Sequence, residues 1–126
     1  MQPNNQKPEG KKPEKPPDLR DRTFQYARAI VRLFVELPHS TVAQVLGKQM
    51  LRSGTSVGAN YREAYRGRSR DEFSAKVGDC LKEAEETAYW LDLIAAEKVY
   101  LSEELTRVRA ETDELIAIFV SIRKNM

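Results

Sequence analysis

Apolar residues recur at three- and four-residue spacing along four stretches of the chain, and no stretch shows the strict alternation of a half-buried strand. From about Asp18 to Leu37 the row is Phe24, Ala27, Val31, Phe34 and Val35, which predicts a first helix with that row turned inward. Asp18 or Asp21 suits its N-cap, and Pro38 ends it because the residue before proline avoids helical dihedrals. A second helix is predicted from Thr41 to Arg66, opened by the capping box Thr41-Val42-Ala43-Gln44 and stopped at Gly67. A second box, Ser69-Arg70-Asp71-Glu72, opens a third helix that runs to about Glu97 with Phe73, Val77, Cys80, Ala84, Leu91 and Ala95 inward. Ser102 caps a fourth, in which Leu105, Val108, Thr112, Leu115, Ile116, Phe119 and Ile122 face the core. Links of two to five residues force neighbouring helices to run antiparallel, so the expected fold is all-α, an up-and-down four-helix bundle.

The second helix has three different sides. Leu46, Met50, Ser53, Val57, Asn60, Tyr61 and Ala64 make a mostly apolar face. Lys48, Arg52, Thr55, Ala59, Arg62 and Arg66 line the opposite edge, where four of the six are basic. Gly54 and Gly58 lie between. Each costs a helix about 1 kcal/mol relative to alanine, which predicts a close approach by a neighbouring backbone. The third helix carries an extra apolar row, Tyr89, Leu93, Ala96 and Tyr100 with Trp90 beside it, away from its inner face. A helix apolar on two sides must be covered on two sides, so this row is the expected contact between subunits of a homo-oligomer.

Charge sharpens this picture more than composition does. Residues 1–17 hold five of the six prolines and four lysines against two glutamates, a disordered arm by composition ahead of a bundle domain at 18–126. The net charge of +2 is too small to imply nucleic-acid binding by itself. Its distribution is uneven, however. Between Lys48 and Arg70 there are six basic residues and one acidic, whereas between Lys76 and Glu114 there are five basic and eleven acidic. Such a molecule can present one pole to a polyanion, or dock head to tail with itself. Lys48, Arg52, Arg62, Arg66, Arg68 and Arg70 are therefore the candidate phosphate contacts.

Little in the chain points to catalysis. One cysteine, Cys80, and one histidine, His39, cannot build a zinc site. No Glu-x-x-His repeat, P-loop or dinucleotide glycine pattern is present, and no cofactor is implied. The amino-terminal residues lack the apolar stretch of a signal peptide and no 18-residue apolar run exists, so the expectation is a soluble, cytoplasmic protein with no membrane partner.

The run Ser56-Val57-Gly58-Ala59-Asn60, the Glu63-Ala64 that follows and the acidic-aromatic run Glu85 to Leu91 resemble the small bacterial proteins named after intervening sequences in 23S ribosomal RNA genes. The resemblance spans roughly Phe24 to Ile122 and implies a four-helix bundle that assembles into a ring, a pentamer. A related protein type serves retroelement reverse transcriptases as a nucleic-acid-binding accessory. No catalytic motif comes with the resemblance. Asn60 and Glu63 match its Asn and Glu and are expected in a structural polar network at the border of the core. Two functions follow as expectations. One is an accessory that binds RNA or DNA, with a protein such as a reverse transcriptase as a further partner. The other is a scaffolding oligomer whose basic corner pairs with the acidic helices of a neighbour.

Overall fold

A computed structural model describes Asp18 to Met126. The proline-rich arm expected at 1–17 lies outside the described residues. Four helices follow one another, α1 (Leu19–Glu36), α2 (Thr41–Tyr65), α3 (Arg70–Ala96) and α4 (Glu103–Lys124). α1 packs on α2, α2 on α3 and α3 on α4, while α1 meets α4 only lightly. No close backbone approach joins α1 to α3 or α2 to α4, so each of these pairs lies diagonally across the core. The fold is the antiparallel up-and-down four-helix bundle that the spacing predicts.

Each helix opens on a side-chain cap. Asp18 accepts from the Arg20 amide at 3.0 Å, Ser69 from Glu72 at 3.0 Å and Ser102 from Leu105 at 3.0 Å. At α2 the cap is Ser40, which accepts from the Ala43 amide at 3.2 Å, and not Thr41. Thr41 enters the helix, and the Gln44 side chain donates to the Pro38 carbonyl instead of closing a box. Glu72 likewise reaches past Ser69 to accept from the Arg68 amide. α3 ends where Lys98 takes a positive φ of 54°, with Lys98 and Val99 amides donating back to Ala95 and Ile94.

The rotation of α1 differs from the expected one. Its buried residues are Leu19, Thr23, Tyr26, Ile30 and Leu33, with Leu37 just beyond. Phe24, Val31 and Val35 are 47%, 44% and 72% exposed. Helix α1 has two apolar rows at helical spacing, and the spacing alone does not choose between them. Glycines on α2 choose. A Cβ at Gly54 would sit 2.8 Å from Ile30, at Gly58 3.1 Å from the Thr23 carbonyl oxygen and at Gly47 2.5 Å from Leu37. Ile30, Thr23 and Leu37 occupy those notches, and this turns the other row outward.

The inner faces of α2 and α4 match the expected ones closely, with Met50, Ser53, Val57, Tyr61 and Ala64 buried on α2 and Leu105, Val108, Thr112, Leu115 and Phe119 on α4. On α3, Thr87 and Ile94 take core positions, and Phe73 and Ala95 are half-buried. One hydroxyl from each helix meets near the middle of the bundle. Tyr26 bonds Thr112 at 2.6 Å, and Ser53 bonds Thr87 at 2.8 Å. Thr112 already donates to the Val108 carbonyl, so Tyr26 is the donor in its pair. Buried hydroxyls satisfied in this way set the register between helices.

Candidate nucleic-acid interface

Antiparallel packing brings the start of α1, the end of α2, the start of α3 and the end of α4 to one end of the bundle. Arg62, Arg66, Arg68 and Arg70 gather there, and Lys48 stands alone near the other end of α2. Among the described residues, Lys48, Arg62, Arg66, Arg68 and Arg70 make no ion pair with a carboxylate. The Arg70 guanidinium donates to the main-chain oxygen of Met126 at 3.0 Å, which ties the corner to the end of α4.

Arg52 is different. It leans toward α3, bonded to Glu86 and 3.5 Å from Glu83. Glu86 also accepts from the Trp90 indole at 3.0 Å. The charge of Arg52 is spent across the α2–α3 seam, so it is a weak candidate for phosphate contact.

Two aromatic side chains enter the basic end. The Arg20 guanidinium lies 4.0 Å from the Tyr65 ring centre, and that of Arg62 lies 5.3 Å from Phe24. Arg20, Arg62 and Tyr65 line a concavity of about 260 Å³ together with Arg66, Asp18 and Asp21. Arg20 was not among the residues singled out from the sequence. The signal for it is topological: the start of an antiparallel α1 must reach the end of α2. Tyr65 is 55% exposed, while Tyr61 is buried against Phe119.

Asn60 and Glu63 are joined through α3. Lys76 contacts Glu63 at 2.6 Å and the Asn60 side-chain oxygen at 3.5 Å. Glu63 is exposed and Asn60 half-buried, and the Asn60 amide donates to the Ser56 carbonyl at 3.0 Å. The Glu63 carboxylate beside it holds the Lys76 ammonium above its ordinary pKa.

The extra apolar row of α3 is partly covered by the chain itself. Tyr89 is 59% exposed and Ala96 is exposed, but Trp90, Leu93 and Tyr100 are half-buried. Trp90 meets Tyr89 edge-on, with ring centres 5.0 Å apart. The Tyr100 hydroxyl donates to Glu36 of α1 at 3.0 Å.

Reactive chemistry finds little support in this geometry. Burial pushes the Cys80 thiol up to about 12, so it stays protonated and inert near neutral pH. Among the described residues no group of three or more His, Cys, Asp or Glu is placed to hold a metal ion. No described helix is long and apolar enough to cross a membrane.

The family model described as 23S rRNA-intervening sequence protein matches residues 18–121. A crystal structure of a protein of unknown function from the S23 ribosomal protein family of Bacteroides thetaiotaomicron is 38% identical, with a TM-score of 0.77 over 84% of this chain and 98% of that one. No functionally curated protein matches the chain.

Proposed function

The chain belongs to the 23S rRNA-intervening sequence protein family, and on that premise we propose that it is a non-catalytic, homo-oligomeric accessory that binds RNA or DNA. The reading takes the assembly to be a pentamer and its place to be the cytoplasm, both from the resemblance and the composition. One observation carries it: Arg62, Arg66, Arg68 and Arg70 gather at one end of the bundle with no Asp or Glu side chain paired to any of them among the described residues. Guanidinium groups left unneutralised at a common surface suit a run of phosphates, and a ring repeats that surface around its axis.

Contacts of this kind position a backbone and do not read bases, so affinity should depend on salt more than on sequence. The test is the affinity of the protein for a mixed-sequence RNA and DNA across a salt series, with Arg66→Glu, Arg68→Glu for comparison. The expected result is a loss of about tenfold or more at low salt and a log–log salt slope shallower by about 2. Absence of binding by the wild type at low salt removes the reading.

The acidic excess between Lys76 and Glu114, eleven carboxylates against five cations, favours a second reading, a scaffolding oligomer that binds only proteins. A binding curve with no response to Arg66→Glu, Arg68→Glu, together with a mass that falls as salt rises, supports that alternative.

A further inference from the structure

Aromatic and cationic side chains alternate across the α1–α2 seam at the basic end of the bundle. Arg20 of α1 lies 4.0 Å from the ring centre of Tyr65 of α2, and Arg62 of α2 lies 5.3 Å from that of Phe24 of α1. Arg20 and Phe24 are four residues apart on one helix, and Arg62 and Tyr65 three apart on the other. The two pairs therefore sit one turn apart, about 5–6 Å along the seam. All four side chains are exposed, and neither ring is part of the hydrophobic core.

The concavity at Tyr65 is chemically mixed. Arg20, Arg62 and Arg66 line it, but so do Asp18 and Asp21. These carboxylates oppose entry of a phosphate, whereas Arg68 and Arg70 stand at the same end outside the concavity. A nucleobase is neutral. Its face stacks on rings and guanidinium planes, and the N–H groups on its edge are donors that a carboxylate accepts. Asp18 already accepts from the Arg20 amide at 3.0 Å. Asp21 accepts from the Gln25 side chain at a long 3.4 Å, which leaves acceptor capacity at the exposed carboxylate.

We infer that this concavity is a site for an unpaired nucleobase. Tyr65 with the Arg20 guanidinium is the stacking platform, Asp21 accepts from the base edge, and Phe24 with Arg62 is the platform for the next base. Phosphates on either side fall to Arg66, Arg68 and Arg70. Bases in a duplex stack on one another and are paired along their edges, so neither platform reaches them unless a nucleotide is extruded. The substrate form so selected is a single strand. This assignment rests on the nucleic-acid reading proposed above and names the form of its substrate.

The test is fluorescence anisotropy of the full chain at low salt with four labelled probes of equal length. They are an unstructured RNA strand, the DNA strand of the same sequence, the duplex of that DNA, and a DNA strand in which abasic residues replace every base. The abasic strand keeps the phosphates, so the wild type is expected to bind both base-bearing single strands about fivefold or more tighter than the abasic one. Tyr65→Ala is expected to remove that advantage on both strands, to leave duplex and abasic affinities unchanged, and to leave the salt slope unaltered. Tyr65→Phe is expected to keep the advantage. Equal wild-type affinity for base-bearing and abasic strands overturns the inference, and this comparison needs no variant to fold. An equal loss on duplex and single strand in Tyr65→Ala also overturns it. So does a lowered unfolding midpoint with every affinity unchanged, because the Arg20–Tyr65 pair then only ties α1 to α2. In each of these cases the phosphate reading survives if Arg66→Glu, Arg68→Glu weakens all four probes. Absence of binding to every probe overturns both.

Discussion

The two seams that hold α1 are built on opposite terms. Against α2 the backbones approach closely, because Gly47, Gly54 and Gly58 leave room for Leu37, Ile30 and Thr23. Against α4 the helices stand apart around a cleft of about 430 Å³, with Tyr26, Ala29 and Val108 among its lining. Arg22 reaches across it to Glu111 through two bonds of 2.7 and 2.8 Å and to Glu114 at 2.7 Å. Beneath, the Tyr26 hydroxyl bonds Thr112. One seam is set by missing side chains and the other by long ones. A tight seam fails when atoms are added, and an open seam loses little when one of its polar bridges is removed.

The largest test of this contrast is Gly54→Val, expected to cost about 3 kcal/mol in urea or thermal unfolding, because the added carbons meet a fully buried Ile30. Gly78 on α3 is the control. A Cβ there meets only the far end of the Arg123 side chain at 3.0 Å, so Gly78→Ala is expected to be neutral or to stabilise by up to about 1 kcal/mol. If the two glycines respond alike, the notch account of α1 is wrong.

At the open seam, Tyr26→Phe removes the bond to Thr112 and is expected to cost about 1 kcal/mol at neutral pH. Burial raises the Tyr26 phenol well above its ordinary value and the Cys80 thiol to about 12 from 9.0. Both groups therefore hold their protons more tightly in the folded chain. Their contribution is complete below about pH 9 and is lost as pH rises toward about 12, because the unfolded chain ionises first. Each unit in that window removes at most about 1.4 kcal/mol per group. Denaturant midpoints taken up this range should fall less steeply for Tyr26→Phe than for the wild type.

Arg22→Gln is the smallest change, expected to cost about 0.5–1 kcal/mol. The side chain is 26% exposed, and solvent screens its pairs with Glu111 and Glu114. A cost as large as that of Gly54→Val would show that the clamp, and not the glycine seam, places α1.

Helix number, order and boundaries to within a residue or two could be read from spacing and caps, because those signals are local. The inner faces of α2 and α4 were legible for the same reason, since each has one dominant apolar side. α1 was not, because it carries two. Of the candidate cations, Lys48, Arg62, Arg66, Arg68 and Arg70 pair with no Asp or Glu side chain among the described residues, but the pairing of Arg52 with Glu83 and Glu86 joins residues more than thirty positions apart. The hydroxyl layer shows a missed signal of another kind. Thr87 keeps the three–four spacing of Val77, Cys80, Ala84 and Leu91, yet a polar residue in that register is easily passed over.

By itself the sequence determined four amphipathic helices, their antiparallel succession, the glycine notches on α2 and the imbalance of charge between the two halves. All of these depend on residues close together in the chain. Only the tertiary structure decided which side of α1 is buried, which arginines are neutralised and which apolar row is left outside. Those outcomes depend on the shape and charge of another helix, and a helix with two apolar rows rotates to fit the neighbour with the deepest notches.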